Sequence, residues 1–134
     1  GEEVSKKELY ALATDMLGLS PDRLRDGYRS VEHCVPYVEC REHEFHVPTW
    51  SRVLIRDVRT LEILPEGEIG FLQFVSPYIT SMPAHSIIMG DLASLSSNCK
   101  CGRATPVMRL HGRAGLSKNK SCAIAAAELM KGQA

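Results

Sequence analysis

Arg52-Val53-Leu54-Ile55-Arg56, Leu61-Glu62-Ile63-Leu64 and Ile69-Gly70-Phe71-Leu72-Gln73-Phe74-Val75 are three apolar runs laid almost end to end, with Pro65-Glu66-Gly67 parting the last two. Short runs rich in β-branched and aromatic residues, divided by turn residues, read as strands of an antiparallel meander. Upstream, Tyr37-Val38-Glu39-Cys40 has the same character, and downstream so do His85 to Met89 and Val107 to His111. Between the latter two, Ser94 to Gly102 is rich in Ser, Asn, Cys and Gly and reads as a loop. Helix signals stand at the two ends. Ser5-Lys6-Lys7-Glu8 is a capping box, Leu9, Leu12, Ala13 and Met16 follow at helical spacing, and Gly18 stops a helix expected over Lys6 to Leu17. Pro21-Asp22 opens a short turn. Ser121 caps a second helix expected from Cys122 to Lys131, with Gly132 beyond it. The fold expected is mixed α/β (α+β): an antiparallel sheet or small distorted barrel flanked by an N-terminal and a C-terminal helix.

The 134 residues suffice for one domain or part of a larger one, with 44% apolar and 24% charged residues. A chain of this size buries a little under ~70% of its extended surface, enough for a core. Sixteen basic residues balance sixteen acidic ones. A net charge of zero argues against nucleic-acid or anionic-membrane binding driven by bulk electrostatics. No apolar run approaches the ~20 residues that span a bilayer, and the charged N-terminus carries no secretory h-region. Five cysteines make an odd count, unlike a disulfide framework. Reduced thiols and a cytoplasmic location are expected.

Cys99-Lys100-Cys101-Gly102 resembles half of a zinc knuckle, two thiolates on a tight turn that the glycine permits. Zinc takes four ligands in a tetrahedron and favours Cys sulfur and His nitrogen. Cys34, Cys40, His43 and His46 are candidates for the other half, and Cys40 and His46 flank a reversal, Arg41 to Phe45. The spacing is equally that of ordinary core cysteines. A site closed by four protein ligands would be structural, contributing on the order of 10 kcal/mol to folding.

Longer phrases add a resemblance. Tyr28-Arg29-Ser30-Val31-Glu32 stands like Y-G-x-[ST]-E. Phe45-His46-Val47-Pro48, Arg56-Asp57-Val58-Arg59-Thr60-Leu61-Glu62 and Leu64-Pro65-Glu66-Gly67-Glu68-Ile69-Gly70 follow the pattern H-x-P … D-x-x-T-x-x-x-L-P-x-G-E-x-G. Met89-Gly90-Asp91 takes the place of T-G-D, Cys99 to Arg103 that of C-x-C-G-R, and Gly112-Arg113-Ala114-Gly115-Leu116 that of G-R-x-D-D. In this order, from about Asp26 to Glu128, the chain resembles the adenylate-forming superfamily. Within it, the nearest likeness is to phenylacetate-CoA-ligase-like proteins and the acyl-protein synthetases of bacterial luciferase systems.

The resemblance implies that Tyr28 lies against adenine, that Glu32 is catalytic and helps hold magnesium, that Asp91 accepts from the ribose hydroxyls, and that Arg113 approaches the nucleotide. It implies a structural zinc ion on Cys40, His46, Cys99 and Cys101, leaving Cys34 a free thiol and His43 facing solvent. Residues 1–111 would form the C-terminal part of the large adenylation domain, and 112–134 the hinge and start of the small C-terminal domain. Cys122 lies near a cysteine that some acyl-protein synthetases acylate, though a helix cysteine is the plainer reading. The activity implied is ATP- and magnesium-dependent activation of a carboxylic acid as acyl-adenylate, then acyl transfer to a thiol of CoA or a protein. The chain departs from the pattern at Arg29, Val31, Gly115 and Leu116; a valine side chain gives a phosphate oxygen no hydrogen bond. No Ser/Thr/Gly-rich phosphate loop precedes these motifs, and no long C-terminal domain follows. The chain is therefore expected to be a fragment, inactive alone and self-associating as a homodimer. The alternative is a noncatalytic zinc-stabilised interaction module on the same fold.

Overall fold

The computed structural model describes residues 4–114. Helix α1 spans Lys6–Leu17. The Glu8 carboxylate accepts from the Ser5 backbone N–H at 2.9 Å, and Ser5 Oγ accepts from Glu8 N–H at 3.3 Å. Gly18 ends the helix at φ 62°, a left-handed conformation that glycine adopts without Cβ strain. A 3-10 turn follows at Pro21–Arg23.

Seven strands come next: β1 (Gly27–Tyr28), β2 (Tyr37–Val38), β3 (Phe45–His46), β4 (Arg52–Arg56), β5 (Gly70–Val75), β6 (Ser86–Ser96) and β7 (Val107–Arg113). Strands β1 and β2 pair as a two-stranded sheet, and the others form a five-stranded sheet in the order β3-β7-β6-β5-β4. Every pairing is antiparallel. Alternation sets the buried face: Val53 and Ile55 on β4 and Leu72 and Phe74 on β5 point inward with Met89, Ala93 and Met108. Val35, Tyr37 and Val47 close over them from the β2–β4 segment.

This architecture corrects the expected fold class. The described residues are mostly sheet, in two antiparallel sheets with a single α-helix, not an α+β unit flanked by helices. Helix α1 forms where its caps predict, but no residue of it is buried, and Leu9, Leu12 and Met16 stay exposed. It therefore adds no layer to the core. The helix expected over Cys122 to Lys131 lies outside the described residues. The strand order has two ends, so the sheet does not close into a barrel. Two local expectations also change. Leu61 to Leu64 contributes one bridge, Arg56 to Ile63, instead of a strand, and Ser94 to Ser96 continue β6 rather than opening a loop.

One polar cluster ties α1 to the sheet. The buried Glu39 carboxylate accepts from Lys6 Nζ, from Tyr10 Oη at 2.6 Å and from Asp26 N–H at 3.0 Å. Burial alone would raise its pKa; these hydrogen bonds outweigh that and hold the carboxyl below its usual range.

Gly70 is where the sheet tolerates no side chain. A Cβ there would lie 2.2 Å from the Arg56 carbonyl oxygen, on the neighbouring strand's backbone. Gly70→Ala is expected to cost about 1–3 kcal/mol, read as a lowered thermal midpoint. Gly27→Ala, with open space around its Cβ, should melt close to the wild type. No helix among the described residues is long and apolar enough to cross a membrane.

Candidate metal centre and nucleotide cleft

Two turns bring the knuckle together. In the first, Cys40 N–H donates to Glu44 O at 2.9 Å and His43 N–H to Cys40 O at 3.0 Å. His43 takes φ 57°, so the chain reverses and re-enters at Phe45 opposite Glu39. In the second, Gly102 N–H donates to Cys99 O at 3.3 Å with Gly102 at φ 84°. Pairing of His46 with Val107 across β3 and β7 sets the turns side by side.

The ligand atoms of Cys40, His46, Cys99 and Cys101 all lie within 4.8 Å of one another. Cys40 Sγ is 3.7 Å from Cys99 Sγ, and Cys101 Sγ is 3.2 Å from His46 Nε2. A zinc tetrahedron with Zn–S bonds of 2.3 Å separates its sulfurs by about 3.8 Å. The donor set fits. His46 Nδ1 is 3.0 Å from both Thr105 O and Thr105 Oγ1. Donation to that carbonyl puts the proton on Nδ1 and leaves the Nε2 lone pair facing the sulfurs, an outer-shell arrangement common to metal-bound histidines.

Backbone N–H groups of Glu42 and Arg103 point at Cys40 Sγ and Cys101 Sγ, each at 3.4 Å. Burial would raise the Cys40 thiol pKa, but N–H groups of Glu44 and Glu42 outweigh it and hold it below its ordinary value. Cys99 is pushed up to about 11, by burial first and then by the neighbouring Cys101 and Cys40. Three thiols this close resist joint ionisation, and a divalent cation is the counter-charge that relieves it. Cys34 is exposed and outside the cluster. His43 does not face solvent freely: its ring sits 4.9 Å from Tyr10 and its Nδ1 is 3.3 Å from Glu39.

The second group lies where β1, β6 and β7 meet. Between Phe71 and Gln73 of β5, strand β6 runs from Leu92 back to Ile88, so Met89-Gly90-Asp91 bulge out of register. A bulge re-aims side chains. Asp91 Oδ2 accepts from Tyr28 Oη at 2.9 Å, and Oδ1 lies 3.3 Å from Arg113 Nε, its cross-strand partner. Burial and then the Asp91 carboxylate push the Tyr28 hydroxyl well above its usual range. Beside Tyr28 opens a groove of about 500 Å³ lined by Gly27, Phe45, Leu110 and His111. Tyr28, Asp91 and Arg113 are thus brought together. Glu32 is not: it is exposed and makes no hydrogen bond or ion pair among the described residues, though its charge is felt at Tyr28.

Sequence reasoning missed Thr105 and Glu39. Thr105 carries no motif, and nothing in the strand-like run Tyr37-Val38-Glu39-Cys40 marks the contact of Glu39 with α1.

The description "Acyl-protein synthetase, LuxE" matches residues 1–131. The chain belongs to the LuxE acyl-protein synthetase family. A curated relative, the long-chain-fatty-acid–luciferin-component ligase of Vibrio harveyi, is 31% identical over 64 residues, covering 48% of this chain and 17% of that protein. The chain thus matches less than a fifth of the relative's length. The knuckle is a cluster able to hold a metal ion.

Proposed function

We propose that the chain is part of an ATP-dependent carboxylate-activating ligase, in which Cys40, His46, Cys99 and Cys101 hold a structural zinc ion beside a nucleotide cleft. The observation that carries this reading is the Asp91 carboxylate, held by Tyr28 and Arg113, with Tyr28 itself lining the neighbouring groove. A carboxylate with two acceptor oxygens suits a pair of ribose hydroxyls, and the Tyr28 ring offers a face for a base. Arg113 adds a cation near the phosphates, and Glu32, free of partners in the described structure, is the residue to hold magnesium. When bound, ATP would supply the adenylyl group that activates a carboxylic acid, with pyrophosphate as the leaving group. The acyl group then passes to a thiol of CoA or of a protein.

Residues 1–111 serve in this reading as the C-terminal part of the large domain, and 112–134 as the hinge and start of the small domain. In this reading the chain alone binds nucleotide without turning it over. The thiolate ligands suit a reducing cytoplasm, and the exposed Leu9, Leu12 and Met16 support self-association.

The test is calorimetric titration with a nonhydrolysable acyl-sulfamoyl adenosine. Saturable binding is expected, without pyrophosphate exchange by the same preparation. A second reading, a noncatalytic zinc-stabilised module, is favoured by Val31, which is 92% exposed and offers phosphate nothing. Full zinc occupancy with no heat of binding would select it.

A further inference from the structure

Away from the metal cluster, Ser94 on β6 and His111 on β7 meet. Ser94 Oγ lies 2.8 Å from His111 Nε2. Ser94 is more than nine-tenths buried while His111 is exposed. The register explains the meeting. Leu92 pairs with Gly112 and Ala93 with Leu110, which leaves His111 as the extra residue of a bulge, with Gly112 at φ 97° allowing the turn. Strand bulges next to functional sites redirect single side chains in this way. The pair opens on a groove of about 460 Å³ whose lining includes Ser96, Glu66 and Ile69. Ser94 lies three residues beyond Asp91 on the same strand, about 10 Å along it at ~3.4 Å per residue.

We propose that Ser94 and His111 are a nucleophile and its general base, which accept an acyl group from an activated carboxylic ester or mixed anhydride. A serine hydroxyl is a weak nucleophile until a base within hydrogen-bond reach takes its proton. With the ring proton on Nδ1, Nε2 accepts from Ser94. Ser94 Oγ attacks the acyl carbon, its proton passes to Nε2, the bond to the leaving oxygen breaks, and that oxygen leaves as an anion or takes the proton from His111. Ser94 then carries an O-ester that water hydrolyses. The proposal rests on this pair alone and not on the nucleotide reading, because an aryl ester is already activated and needs no ATP.

The experiment uses the full chain with Cys34→Ala and Cys122→Ala, removing the two thiols not assigned as metal ligands, and p-nitrophenyl octanoate as probe. One octanoyl group per chain is expected by intact mass, located on the Ser94 peptide, with one equivalent of p-nitrophenolate released in a burst. Ser94→Ala should abolish the label. His111→Gln should slow labelling about 100-fold with unchanged melting, and Ser94→Cys should restore a label, now a hydroxylamine-sensitive thioester. Labelling only at other residues, no labelling, or a wild-type rate in His111→Gln would overturn the proposal.

Discussion

Cys101→Ser is expected to strip the chain of zinc and to unfold most of it at room temperature. A four-ligand zinc site contributes on the order of 10 kcal/mol to the folding of a small domain, and a domain's whole net stability is ~5–15 kcal/mol. The knuckle pins the Cys40–His46 turn to the Cys99–Cys101 turn. Without it, the Cys40–His46 turn is joined to the main sheet by the two-residue pairing of β3 with β7, the His46–Thr105 contact and the Glu44–Arg109 ion pair, whose arginine is half exposed. The same loss should follow chelation, as a fall in far-ultraviolet ellipticity that zinc and not magnesium reverses. Cys34→Ser removes an exposed thiol outside the cluster and should stay within about 0.5 kcal/mol of wild type. Equal melting curves for Cys101→Ser, Cys34→Ser and wild type would remove zinc from the stability of this fold.

Asp91→Ala should weaken binding of the acyl-sulfamoyl adenosine about 100-fold, since two hydrogen bonds to a charged acceptor, at ~1.5–3 kcal/mol each, are lost. The fold should survive, because Asp91 lies in the bulge of β6, outside its register with β5, and Arg113 ends β7 with its side chain more than half exposed. Tyr28→Phe keeps the ring and loses only the hydroxyl that orients Asp91; a loss of about tenfold is expected, one hydrogen bond's worth. Calorimetry separates the two. Wild-type affinity in Asp91→Ala would move the nucleotide site elsewhere.

How much of this could be read from sequence follows from the range of the forces involved. Helix α1 was legible to the residue because its signals are local: Ser5, Glu8 and Gly18 act within one turn of the backbone they cap. Strand β4 was legible because Val53-Leu54-Ile55 is a short, β-branched apolar run bounded by Arg52 and Arg56. The far half of β6 was not. Ser94 and Ser96 resemble a loop, and the bulge at Met89-Gly90-Asp91 breaks the two-residue period that would have flagged a strand. Strands β1, β2 and β3 have two residues each, too few for any period. The fold class was misjudged because a well-capped helix suggests a packed layer, whereas here Lys6 and Tyr10 hold α1 to Glu39 by polar contacts and its apolar side stays exposed.

The metal cluster was half legible. Cys99 and Cys101 announce themselves by spacing, but the other half offered four candidates, Cys34, Cys40, His43 and His46, of which Cys40 and His46 flank a reversal. Their sorting is a long-range matter. The register of β3 against β7 sends His46 inward, and the reversal through His43 turns that imidazole toward Glu39 instead. The reversal between Cys40 and His46 pointed to that pair, and the family resemblance strengthened the choice.

X-ray absorption at the zinc edge of the purified protein puts the heart of this account at risk. Three sulfurs at about 2.3 Å and one nitrogen at about 2.0 Å are expected, with one zinc per chain. A sphere of oxygens and nitrogens, or protein that holds no metal after purification without chelators, would contradict it.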